Sequence, residues 1–295
     1  VNRLFAAICI GALVAWSTPT AQDVALPNVA DSVKFAVIGD SGTGKRPQYD
    51  VAEQMINFHG KIPFDTVIML GDNVYGGHEP ADFVAKFERP YKPLLDAGVR
   101  FYASLGNHDR ESSRAYEPWN MGGRPYYTWA KQNVRFFALD SNHMDPPQVT
   151  WLQEQLEGSH EAWRIAYFHH PLYSSAARHG SELKLRAVLE PLFVKHGVNV
   201  VFSGHDHVYQ RIKPQHGVHY FVAGAAGQLR RGNVRKSELT EAAFDQDRSF
   251  VLVEVAGDEL TFQAVSRTGE TVDFGTITRE RIAASVRARG LTRRY

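Results

Sequence analysis

Five apolar runs of strand length in this chain each end in residues that bind metal ions. Residues 33–39 run into Asp40, and 65–70 into Gly71-Asp72-Asn73-Val74-Tyr75. Residues 101–105 run into Gly106-Asn107-His108-Asp109, 163–168 into His169-His170-Pro171, and 198–203 into Gly204-His205-Asp206-His207. In an open α/β sheet, ligands sit beyond the carboxyl ends of the strands, so five such ends can converge on one crevice. A single Asp at a strand end is usually a turn or cap residue, but five clusters in order need a common framework. Two adjacent metal ions are the natural occupants of such a crevice, and the chain reads as a dinuclear metallohydrolase.

The intervening segments supply that framework. Residues 51–59, 81–95, 149–156 and 181–196 read as helices, the last with Leu183, Leu185, Val188, Leu189, Leu192 and Phe193 at helical spacing. Strands alternating with helices argue for βαβ units. Beyond His207 the pattern turns strand-rich, at 218–223, 250–255, 260–265 and 272–277. The expected fold class is α/β, with two packed β-sheets flanked by helices and the second sheet mixed or antiparallel. A length of 295 residues with 43% hydrophobic content suits one large domain of this kind. The net charge of +1 gives no reason to expect polymeric nucleic acid or a membrane surface as partner.

The two ends read differently from the middle. Arg3, an apolar stretch at 4–16 and the small polar run Ser17-Thr18-Pro19-Thr20-Ala21 have the layout of a secretory signal peptide over residues 1–21. The stretch falls short of the ~18–20 residues that span a bilayer, so no stable membrane anchor is expected. Cys9, the one cysteine, lies inside it, and a chain free of cysteine thereafter tolerates an oxidising compartment. The expectation is an exported protein, periplasmic or secreted, with a catalytic domain over 22–279 and a basic, solvated tail over 280–295.

Spacing sets limits on the ligands. His205 and His207 are two apart, so on extended backbone both point the same way and reach two neighbouring ions or one shared ion. His169 and His170 are adjacent and would point oppositely, so one of the pair is expected to be a ligand. Asp40 and Asp72 each follow a glycine, expected to let the backbone turn sharply and leave the carboxylate at the strand end. A carboxylate between two dications neutralises both and holds them ~3.5–4 Å apart, the separation used for in-line displacement.

The motifs Asp-x-Gly, Gly-Asp-x-x-Tyr, Gly-Asn-His-Asp, a strand ending in His-x-Pro, and Gly-His-x-His resemble the purple acid phosphatase family of the calcineurin-like metallophosphoesterase superfamily. Most of that superfamily has Asp-x-His at the first cluster. Here Asp40-Ser41-Gly42 lacks the histidine, and Tyr75 stands three residues past Asp72 instead. The resemblance implies one ion held by Asp40, Asp72, Tyr75 and His207. It implies a second held by Asp72 as the bridge with Asn107, His169 and His205, the family's ligand standing two residues before the proline. The family's usual valine in that strand is Ala166 here. Phenolate and carboxylate are hard donors suited to Fe(III), and the second ion would be Fe, Zn or Mn. His108 and His179 match positions over the substrate phosphate, where they would balance charge and donate a proton to the leaving oxygen. The implied activity is hydrolysis of phosphate monoesters by a metal-activated water, surviving below neutral pH, with small phosphoesters as substrates.

Three other readings compete. A phosphodiesterase acting on cyclic nucleotides or lipid headgroups would use the same metals, and the loops at 111–127 and 224–235 that would decide this are not legible. Gly39-Asp40-Ser41-Gly42 also resembles the Gly-Asp-Ser motif of esterases, with Ser41 as nucleophile and Gly106-Asn107 in an oxyanion site. That family needs an Asp-x-x-His late in the chain, and none follows His207. A non-catalytic phosphate-binding or scaffold protein would leave the complete set of ligand positions unexplained.

Overall fold

The computed structural model describes residues 24–279, so the expected signal peptide at 1–21 and basic tail at 280–295 lie outside the described residues. The elements run β1 (Val33–Ile38), α1 (Arg46–His59), β2 (Thr66–Leu70), α2 (Pro80–Phe83), a π-helical turn (Val84–Glu88), α3 (Arg89–Asp96) and β3 (Arg100–Ser104). There follow β4 (Tyr127–Lys131), β5 (Val134–Ala138), α4 (Pro146–Glu157), β6 (Trp163–Phe168), α5 (Leu183–Lys195) and β7 (Val200–Ser203). The chain continues through β8 (Tyr209–Gln215), β9 (Val218–Ala223), β10 (Thr240–Phe244), β11 (Ser249–Ala256), β12 (Glu259–Ser266) and β13 (Thr271–Thr278).

Two mixed sheets result, ordered β13-β12-β11-β1-β2-β3 and β10-β8-β9-β7-β6-β5-β4. The late strands do not form a sheet of their own. β11 pairs antiparallel with β1, Val33 opposite Val255, and carries β12 and β13 into the first sheet. β8 to β10 join the second through the parallel pair β7 and β9. The pattern 33–39, fully apolar after Lys34, fits β1 as a strand buried on both faces between α1 and the second sheet.

The sheets pack face to face through aromatic side chains. Phe35 of β1 meets Phe136 of β5 at 5.3 Å and Phe202 of β7 at 6.3 Å, both edge to face, and Phe221 of β9 meets Phe262 of β12 at 5.0 Å. Outside them, α1 buries Val51, Ala52, Met55 and Phe58 on the first sheet, and Phe58 meets Phe250 of β11. On the second, α4 buries Leu152 and Leu156, and α5 buries Leu185, Leu189 and Phe193. The order is helix, sheet, sheet, helix. Among the described residues no helix is long and apolar enough to cross a membrane.

This topology brings the five strand ends together. β1, β2 and β3 are mutually parallel in one sheet, and β6 and β7 are parallel in the other. All five clusters therefore leave the same edge of the sandwich, three from one sheet and two from the other. The backbone stitches them there: Asp40 N–H donates to Gly71 O at 3.0 Å, and Gly204 N–H to His169 O at 2.9 Å.

Candidate metal centre

All nine side chains singled out from the sequence meet at that edge. Asp40 Oδ1 accepts from the Tyr75 hydroxyl at 3.1 Å, and His207 Nε2 lies 3.3 Å from both atoms. Asn107 Oδ1 is 3.0 Å from His169 Nε2 and 3.1 Å from His205 Nδ1, and those two nitrogens are 3.1 Å apart. Asp72 stands between the sets. Its Oδ1 is 3.5 Å from His169 Nε2, and with Asp40 and His207 it completes a three-residue donor group. His108 N–H donates to Asp72 Oδ1 at 2.8 Å, and its ring lies on Tyr75 at 4.8 Å. The His179 ring lies on His205 at 4.2 Å.

Backbone geometry shapes the donors, not always as the spacing suggests. Asp40 and Asp72 themselves sit at φ 54° and 53°, the left-handed region that costs a non-glycine residue strain and is tolerated at functional sites. Gly71 turns at φ 89° as expected, whereas Gly39 serves close packing, since a Cβ there would lie 2.7 Å from Ala223 O. The expected common direction of His205 and His207 fails because the chain after β7 is not extended. His205 has φ 67°, so its ring turns to His169 and Asn107 while His207 faces Asp40 and Tyr75.

Gly42 brings the backbones of the first two clusters into contact. Gly42 N–H donates to Asp72 O at 3.3 Å, and Tyr75 N–H donates to Gly42 O at 2.9 Å. A Cβ at 42 would fall 1.8 Å from Asn73 O. No side chain fits, histidine included, while the loop that delivers Tyr75 lies against this backbone. Gly42→Ala is expected to cost about 1–3 kcal/mol by overpacking. Thermal unfolding of the chelator-treated variant checks this, since a loss there cannot come from weakened ion binding.

Supporting residues fix the loops. Asp109 accepts from the backbone N–H groups of Gly106, Asn73 and Val74 at 2.9–3.1 Å, stapling the second loop to the third although burial pushes its carboxyl up to about 7. Asp206 accepts from the Ser174 hydroxyl, and its charge opposes the burial that lowers His179. Lys86 had no signal in the sequence beyond two nearby prolines. Pro90 has no N–H to offer the carbonyls behind it, and Lys86 O and Ala85 O are taken by Gln48 Nε2 (2.6 Å) and the Tyr49 hydroxyl (3.0 Å) of α1. The π-helical turn so formed sets Lys86 Nζ 2.7 Å from Tyr75 O, clamping the tyrosine loop.

The donors fit metal ions on physical grounds. Asp40 and Asp72 are buried, and among the described residues no lysine or arginine pairs with either. Burial pushes the Asp40 carboxyl up to about 7 against the pull of His207, and Asp72 adds to the rise. Burial and then the two carboxylates hold the Tyr75 phenol far above its usual range, so only a strong cation would release its proton. Burial, then neighbouring imidazoles, hold His169 well below its usual range and push His205 down to about 2, which keeps both neutral. His169 Nδ1 sits 3.0 Å from Leu70 O, an acceptor only, so Nδ1 carries the proton. Its Nε2 lone pair then faces the Asn107 carbonyl oxygen at 3.0 Å with no hydrogen between them. Facing lone pairs of this kind suit a shared cation.

Ser41, the nucleophile of the esterase reading, is 1% exposed, and its backbone packs where a Cβ on Gly227 would be. It is out of reach of a substrate.

The sequence profile described as calcineurin-like phosphoesterase matches residues 33–209. The tartrate-resistant acid phosphatase type 5 of Rattus norvegicus is 25% identical over 295 residues, covering 82% of this chain and 89% of that protein. Among solved structures, a purple acid phosphatase (PPD1) from yellow lupin superposes with a TM-score of 0.71 at 17% identity, over 86% of this chain and 55% of that one. GAP50, the anchor in the inner membrane complex of Plasmodium, superposes with 0.73 at 18% identity, over 85% and 90%.

Proposed function

The chain belongs to the calcineurin-like phosphoesterase family of metal-dependent hydrolases, and from that premise we propose that it is a dinuclear phosphatase cleaving phosphate monoesters in acid. The observation that carries this reading is the pair of donor sets sharing Asp72, one of them containing Tyr75. Asp40, Asp72, Tyr75 and His207 would hold Fe(III), and Asp72, Asn107, His169 and His205 a second Fe, Zn or Mn. When bound, the two ions supply Lewis-acid charge for the phosphoryl oxygens and an acidic water as nucleophile.

The chain's own groups do the rest. His108, fixed by its backbone bond to Asp72 and half-exposed above Tyr75, balances charge on the phosphoryl oxygens. His179, exposed beside His205, protonates the leaving oxygen; burial lowers its pKa, and the Asp206 charge opposes that fall. The buried carboxylates hold their places before substrate arrives, so little reorganisation is needed in the transition state. Small phosphoesters are the substrate class. Export, read from residues 1–21, belongs to the same proposal.

The acid preference is supported by the curated relatives, which are named acid phosphatases, and by the hard oxygen donors around Tyr75. The anchoring role named for GAP50 shares only the fold. Hydrolysis of an aryl phosphomonoester and an aryl phosphodiester by iron-loaded protein, compared from acid to neutral pH, tests the reading. Monoester cleavage is expected to dominate in acid. Dominant diester cleavage would move the assignment to a phosphodiesterase on the same donors, and activity confined to alkaline pH would remove the Fe(III) claim.

A further inference from the structure

His170 has no part in the ligand set above, yet its ring, like that of His169, has its Nδ1 held by a neighbouring oxygen. Its Nδ1 lies 2.9 Å from Ser141 Oγ, and that oxygen also accepts the His170 backbone N–H at 3.0 Å. The hydroxyl thus holds both the backbone and the ring of His170. In the tautomer whose Nδ1–H donates to Ser141 Oγ, Nε2 carries the free lone pair. A ring nitrogen of His170 lies within 4.8 Å of donor nitrogens of both His169 and His205. The rings confirm a closed cluster, with His170 4.9 Å from His169 and 4.5 Å from His205 between centroids.

The expectation of opposed adjacent rings does not hold here because β6 ends at Phe168, leaving both histidines beyond the pleat that would alternate them. A polar cavity of about 360 Å³, lined by Asn107, Ser141, Asn142, His170, Glu182 and Leu185, opens beside the ring.

We propose that His170 is a third imidazole ligand of the second ion, held in place by Ser141, and that it biases this site toward zinc over manganese. The proposal rests on the dinuclear reading above. Three imidazoles with an amide oxygen and the shared carboxylate form a nitrogen-rich donor set, which suits zinc, whereas manganese favours oxygen donors. Ser141 acts as a positioning residue through its bond to Nδ1.

The test uses full-length protein stripped by chelation, then titrated with Zn(II) and Mn(II) against a chromophoric chelator. His170→Gln is expected to weaken Zn(II) at one of two sites by on the order of 100-fold, and Ser141→Ala by about 10-fold, with Mn(II) affected less. Proton NMR of the Co(II)-loaded protein provides a signature that packing alone would not change. Each ligating imidazole contributes an exchangeable, hyperfine-shifted N–H, and His170→Gln should remove one. Unchanged zinc affinity and an unchanged set of shifted N–H signals in His170→Gln, beside loss of the site in His205→Ala, would overturn the proposal alone. Wild-type protein that takes up no ions stoichiometrically would overturn it together with the dinuclear reading.

Discussion

Asp72→Asn is expected to lower kcat/KM at least about 10³-fold, the upper end of what loss of one fixed electrostatic group costs. Both donor sets lose together, because Asp72 is the residue they share: it stands with Asp40 and His207 on one side and 3.5 Å from His169 Nε2 on the other. The amide keeps the size of the side chain and an oxygen for the His108 N–H, so the loop should stay in place. Metal analysis alongside kinetics separates the causes. The account expects weakened uptake at both sites. Full occupancy with activity lost would make Asp72 a catalytic group only, and full occupancy with activity kept would remove it from the centre.

Chelation is expected to stop turnover, and in the stripped protein Asp40→Asn should be more stable than the wild type. The cause is the buried Asp40 carboxyl, whose pKa burial raises from 3.8 to about 7. A group raised in the folded state favours folding fully below its unfolded value and loses that contribution as pH climbs through the folded one. The gap between variant and wild type should therefore be near zero around pH 4 and widen toward pH 7, to on the order of a few kcal/mol. Comparing the two proteins cancels the opposite trend of His169 and His205, which burial holds neutral and which favour folding less in acid. With ions restored the order should reverse, since the carboxylate then binds and the ions stabilise the wild type by mass action. Melting curves across that pH range, with and without chelator, decide it. A variant less stable than wild type in both conditions would mean that Asp40 has a satisfied structural role.

The candidate metal donors could be picked out because they stand at the ends of five apolar runs, where strand geometry leaves few places for a side chain to go. The sheet that each run joins was not. β11 lies beside β1 although more than two hundred residues of chain separate them, and nothing local in 250–255 marks that partner. β4, β5, β8 and β10 escaped notice: β4 and β10 are half-exposed, β8 carries Pro214 and charges in a seven-residue strand, and β5 is a five-residue strand, mostly buried, that ends in no metal-binding cluster. The spacing of His205 and His207 misled for a local reason: a left-handed residue breaks the period-two rule that the prediction assumed. Asp109 and Asp206, inside two of the clusters that end those runs, hold neighbouring loops by their hydrogen bonds. The Gln48, Tyr49 and Lys86 arrangement behind Tyr75 depends on carbonyls freed by Pro90, and Gln48 and Tyr49 reach those carbonyls from α1, some forty residues earlier.

The central claim is that two ions, bridged by Asp72, make this chain a phosphatase. Metal content per chain, measured by elemental analysis while activity on an aryl phosphomonoester is rebuilt from the stripped protein, tests it most directly. The account predicts that turnover appears only as occupancy passes one ion and saturates at two. Full activity at one ion, or activity that persists with none, would contradict it.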